Sequence, residues 1–143
     1  MTGQAVDEEQ AMSVTGKWRI VEMELWDREA IDLVGPASIE FRRDRTGPFR
    51  FVAVEGWMDW RPGGRDGHAS AEFTWEGDDD GAPISGRGWV VLEDQDGMRG
   101  HFYFHLGDDS AFRAVRATRR RSIPRSGVEG LVPARRVELR LPP

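Results

Sequence analysis

The stretch "GHFYFHLGDDS", residues 100–110, gathers the side chains most able to do chemistry. His101 and His105 stand four apart, Tyr103 lies between them, and Asp108-Asp109-Ser110 follow Gly107. On a helix, histidines at that spacing share a face and hold one metal ion. On a strand the same four residues span about 13 Å, too far for a single ion. A serine nucleophile needs a base aimed at it. Adjacent acids on a tight turn diverge, and Asp and Ser there are turn formers that bond their own backbone. Two other acidic groups invite the same question. "EGDDDG", residues 76–81, has Trp89 eleven positions after Asp78, where a calcium loop needs a bidentate Glu. Glu22, Glu24, Asp59 and Glu72 lie in alternating segments. A pair of them turned inward would have raised pKa values suited to acid–base work, while surface placement is the usual fate of a carboxylate. No metal, cofactor or catalytic set with the required spacing is expected.

The elements decide between these readings. Helical periodicity is nearly absent. Short alternating runs are separated by Gly and Asp turns, the pattern of an all-β barrel or sandwich. Eight strands are expected, near 17–26, 37–43, 48–55, 57–62, 68–76, 85–94, 98–106 and 110–118. "DREAIDLVGPA" allows a short helical turn before Gly35-Pro36 stops it.

"DRTG" (44–47) and "DQDG" (94–97) fit three-residue hairpin loops, each ending in a Gly at positive φ. Counting outward pairs Asp44 with Pro48 and Asp94 with Met98 and sorts side chains by face. Ile39, Phe41, Phe49, Phe51 and Ala53 share a core face, as do Val90, Leu92, Phe102, Phe104 and Leu106. The opposite face of the second hairpin pairs Trp89 with Tyr103 and Arg87 with His105. In the fifth strand Ala69, Ala71, Phe73 and Trp75 form the core face. The facing pair is either Met58/Trp60 or Trp57/Asp59. In the first strand the apolar residues change parity midway, which a bulge would explain.

A chain of 143 residues suits one domain with a real core. Six Trp and seven Phe against one Tyr is a heavy aromatic load, and such residues fill cores or interfaces. There is no Cys, which excludes disulfides, Cys-ligated zinc and a Cys nucleophile, and which favours the cytoplasm. "MTGQAVDEEQAMSV" lacks the apolar core of a signal peptide, and no apolar run is long enough to span a membrane. The net charge of −5 is uneven: residues 119–143 hold seven Arg and two Glu, +5, so residues 1–118 carry −10. An acidic body repels nucleic acid and anionic membranes, so neither is expected as a partner. Lys17 is the only lysine among twenty basic residues, a bias typical of GC-rich bacterial coding, so Arg number is not itself read as function.

"TGKWRI" (15–20) places Gly16-x-Trp18 at the start of the first strand. Followed by hairpin-linked strands, this resembles the opening of lipocalin-like (calycin) barrels. The resemblance covers residues 15–118. It implies that Trp18 plugs the base of an up-and-down barrel under an Arg from the last strand, Arg116 or Arg113. It also implies one small apolar ligand held in the mouth. The chain further resembles short bacterial proteins to which no activity is assigned.

The expected organisation is a flexible N-terminus (1–14), a single antiparallel up-and-down β-barrel of about eight strands (15–118), with a sandwich as the alternative, and an Arg/Pro-rich tail (119–143), flexible or peripheral. Three functions compete. One is a non-enzymatic barrel binding a small, partly apolar molecule, lined by Trp18, Phe51, Phe73, Phe102 and Phe104. Another is an interaction module, for a protein partner or a second copy in a homo-oligomer, using Arg87, Trp89, Tyr103 and His105, residue types enriched at interfaces. The third is a small enzyme built on an inward carboxylate. The volume inside the barrel separates the first from the second.

Overall fold

A computed structural model describes residues 2–117, with side chains from residue 8 onward. The tail expected at 119–143 lies outside the described residues. The element order is α1 (Thr2–Val14), β1 (Gly16–Met23), α2 (Arg28–Ile31), β2 (Ser38–Phe41), β3 (Thr46–Phe51), β4 (Val54–Arg65), β5 (His68–Asp79), β6 (Ala82–Leu92), β7 (Gly97–Phe104) and β8 (Asp109–Arg116). Each strand pairs with its sequence neighbour, and β8 pairs with β1, so the sheet is a closed eight-stranded antiparallel barrel. Closure removes the unpaired edges that an open sheet leaves exposed.

The turns are where sequence and structure differ in detail. In the first hairpin Arg42 and Thr46 close the loop, and Arg45 rather than Gly47 takes the positive φ, +72°. Asp44 stabilises this loop by accepting from the Thr46 hydroxyl and backbone N–H, and those two bonds hold its carboxyl below the ordinary aspartate value. The loop keeps its length but starts two residues early, so Ile39 pairs with Phe49 rather than Ala53. In the second hairpin Leu92 pairs with Met98, Trp89 with His101, and Arg87 with Tyr103. Both shifts move the partner by an even number, so each residue keeps its face. Two residues past the strand ends are exceptions. Ala53 falls beyond β3, in the turn after Val52 at φ +55°, and leaves the buried place to Val54. Leu106 falls beyond β7, at φ +57°, and is 95% exposed instead of lying on the core face.

The β4–β5 and β5–β6 turns are Asp66-Gly67 and Asp80-Gly81, all four at positive φ, as two-residue hairpins require. The first turn settles the open register: Met58 faces Trp75 and Trp60 faces Phe73, all buried, while Trp57 and Asp59 point out. The β1 bulge falls between Ile20 and Glu22, so the buried set runs Trp18, Ile20, then Met23.

The N-terminus, expected to be flexible, forms α1. Its sequence holds good helix formers, and among its described side chains, from residue 8 onward, the buried apolar ones are Ala11 and Val14, too few to give an apolar period. These two residues are buried and join the core cluster at one end of the barrel.

The interior is filled by rings. Phe102 lies 4.7 Å from Phe51, 5.0 Å from Phe49, 4.8 Å from Phe112 and 5.6 Å from Phe73, centroid to centroid. Phe41 meets Trp60 edge to face at 5.3 Å. Four inward glycines make room for this. Gly56, Gly86, Gly88 and Gly100 stand directly opposite Phe49, Trp75, Phe73 and Phe112 on the next strand. A Cβ at Gly86 would come 2.9 Å from the Trp75 ring, one at Gly100 would come 2.6 Å from the Phe112 ring, and one at Gly56 or Gly88 would overlap its ring outright. Each large ring therefore lies over a bare backbone, and volume is conserved pair by pair.

Candidate functional site

The five expected lining residues are all on the inside. Trp18 and Phe51 are fully buried, as is Phe102, and Phe73 is nearly so. Trp18 sits at the end covered by α1. Its indole N–H donates to the Val14 carbonyl, 2.9 Å, and the Arg116 guanidinium lies 4.0 Å over its ring. Arg116 also donates to the carbonyls of Ser13, Thr15 and Gln95. Arg113, the other candidate for that place, points outward to Glu93 and Glu22.

Phe104 lies at the opposite end, the mouth, and is the only one of the five that is half-buried. There Trp26, from the β1–β2 connection, packs on Phe51 at 5.6 Å and on Phe104 at 6.5 Å. The connection is pinned by the Val52 N–H donating to Ile31 and by the Arg19–Asp32 pair. Leu25, Leu33, Val34 and Leu106 stand exposed in the loops at this end.

The outer face is organised in register rows that cross the sheet. One row runs Asp59, Thr74, Arg87, Tyr103, Asp109 across five strands. The next toward the mouth holds Trp57, Glu76 and Ser85, with His105 attached through its N–H to the Ser85 carbonyl. Together with Asp78 and Asp108 these rows wall an open groove of about 1340 Å³. Its carboxylates are Asp59, Glu76, Asp78, Asp108 and Asp109, against Arg87 and His105. Trp57 is 48% exposed on its wall.

The expected interface set divides here. Arg87, Tyr103 and His105 line the groove, with the Arg87 guanidinium 4.3 Å over the Tyr103 ring. Trp89 lies one row further toward the α1 end, opposite His101. It joins Tyr103 through His101, a neighbour on the same sheet face that is not among the four expected interface residues: His101 stacks on Tyr103 at 4.6 Å and on Trp89 at 6.2 Å, and its Nε2 bonds the Asp109 carboxylate. Arg65 and Arg99 cover Trp89 at 4.6 and 5.7 Å. The patch is thus a continuous stack, Arg65–Trp89–His101–Tyr103–Arg87. Sequence alternation contained the signal for His101, because it shares a strand face with Tyr103. Arg65 and Trp57 come from β4, and their places depended on the turn at Asp66-Gly67.

The enzyme-like features disperse. Glu22, Glu24, Asp59 and Glu72 are exposed on the outer face. Ser110 is buried in β8, where its hydroxyl accepts from the Leu25 N–H and donates to the Ala111 carbonyl. No group of three or more His, Asp or Glu side chains converges as a metal site among the described residues. No described helix is long and apolar enough to cross a membrane. Comparison with protein-family models, with curated proteins and with solved structures gave no match.

Proposed function

We propose that this protein is a non-enzymatic interaction module that recognises a basic polypeptide segment on the outer face of β4–β7. The observation that carries the reading is the contrast between the two faces. Inside, aromatic rings occupy the space a ligand would need. Outside, an aromatic-walled groove stands open. Its volume exceeds that usual for a small-molecule pocket, roughly 300–1,000 Å³, and suits an extended chain. Five carboxylates against one Arg and one His favour a cationic occupant. Trp57 is 48% exposed on the wall and already takes the Arg42 guanidinium over its ring at 5.0 Å, the contact that an Arg side chain of the occupant would make with a groove aromatic.

The test is binding of a fluorescein-labelled nona-arginine peptide, read by anisotropy, with nona-glutamate as control. The double variant Trp57→Ala, Tyr103→Ala keeps every charge, so general attraction to an acidic protein is unchanged. Its affinity should fall about tenfold or more, about 1.4 kcal/mol. Equal affinity for wild type and double variant would remove the groove from the account.

A second reading is favoured by the mouth. Trp26 and Phe104 are only half-buried, and four exposed apolar residues lie in the surrounding loops. A small apolar molecule taking the place of Trp26 would fit the lipocalin-like resemblance of Gly16-x-Trp18 with Arg116 over the indole. Quenching or a shift of Trp26 emission on adding an apolar ligand, absent in Trp26→Phe, would support it.

A further inference from the structure

A second recess lies on the same outer face, nearer the α1 end. Two register rows cross there: Arg61, Glu72, Trp89, and Gly63, Ser70, Val91. Arg61 and Arg65 sit two residues either side of Gly63, so all three share the outer face of β4. Gly63 offers no side chain, and the gap it leaves is a recess of about 290 Å³ walled by Arg61, Arg65, Glu72, Trp89 and Ser70. The Ser70 hydroxyl lies 3.4 Å from where a Gly63 Cβ would stand.

The donors in this recess have little else to do. Ser70 is 91% buried, and among the described residues its hydroxyl makes no hydrogen bond. Ser110, the other buried polar residue among the described ones, is fully engaged by contrast. Arg61 has no carboxylate within ion-pair distance among the described residues, although Glu72 is its register partner. Arg65 makes no ion pair either and rests on the Trp89 ring, which leaves its N–H fork free at the edge. Among the described residues the one buried side-chain nitrogen or oxygen without a partner is Arg19 Nε, so the Ser70 hydroxyl opens into the recess and is available to a ligand. Arg61 and Arg65 on the same walls supply the bidentate geometry that oxyanions accept.

We infer that this recess is a phosphate-binding site: Arg61 and Arg65 hold the charge, the Ser70 hydroxyl donates to one oxygen, and Trp89 forms the side wall. This inference is independent of the peptide groove. Among the described residues Glu72 is the one carboxylate on the walls, and it weakens the site for a bare dianion.

The experiment titrates inorganic phosphate, and in a parallel arm O-phosphoserine, into the full chain at constant ionic strength set with chloride. The readouts are the Trp89 indole resonance and the melting temperature. A saturable shift of Trp89 is expected, with chloride alone inert. Tighter binding of phosphoserine assigns the site to a phosphate ester, and equal or tighter binding of phosphate assigns it to the free ion. Gly63→Val fills the recess with a residue suited to a strand and should abolish the shift while the fold persists. Arg61→Gln should weaken binding at least tenfold, and Glu72→Gln should strengthen it. No saturable shift in wild type, or an unchanged one in Gly63→Val, would overturn the assignment.

Discussion

At the scale of the residue, the interior depends on glycines as much as on rings. Gly88 lies between Phe73 on β5 and Phe102 on β7, with Phe73 directly against it. Adding one methyl there forces the Phe73 ring or the backbone to move. Gly88→Ala should therefore cost about 1–3 kcal/mol, the usual range for overpacking a filled core, measured by urea unfolding. An unchanged midpoint would mean that the interior has slack, and slack is what a buried ligand needs. This pairing was half legible in the sequence. Alternation put Gly88, Val90 and Leu92 on the face of Phe102 and Phe104. It did not reveal which ring covers which glycine, because that needs the register between β5 and β6. Leu106 marks the limit of such counting. The count carried it past the end of β7 onto the core face, whereas the chain turns before it at positive φ.

At the scale of the element, strand parity was readable and helix α1 was not. Alternation survives an even slip in register, which is why faces held when both hairpin loops started early. The bulge in β1 was legible for the same reason: an odd insertion switches the face, and the apolar residues of 18–23 switch with it. A helix whose described side chains bury only Ala11 and Val14 leaves no such trace. Yet α1 closes the Trp18 end, since Val14 is fully buried and its carbonyl takes the indole N–H. Deleting residues 1–14 should lower stability by about 2–4 kcal/mol, from the Val14 side chain and one buried hydrogen bond. The Trp emission should also shift to the red as Trp18 meets water. A truncated chain with the midpoint and spectrum of the full one would show α1 to be incidental.

At the scale of the whole molecule, the barrel separates a closed, ring-filled inside from a patterned outside. Residues of the patch were legible because Arg87, Trp89 and Tyr103 sit on strands whose faces could be counted. The groove itself was not, because its walls come from β4, β5 and the β7–β8 turn, whose alignment only the tertiary structure fixes. The central claim is that recognition happens outside. The Trp residues are built-in reporters of it. Trp18, Trp60 and Trp75 are interior, each with its indole N–H on a backbone carbonyl, while Trp57 stands on the groove wall. The most direct measurement is a 1H–15N spectrum of the indole groups during titration with nona-arginine. The account predicts that the Trp57 resonance moves and saturates while those of Trp18, Trp60 and Trp75 stay in place. Movement of the three interior resonances with Trp57 unmoved would contradict it.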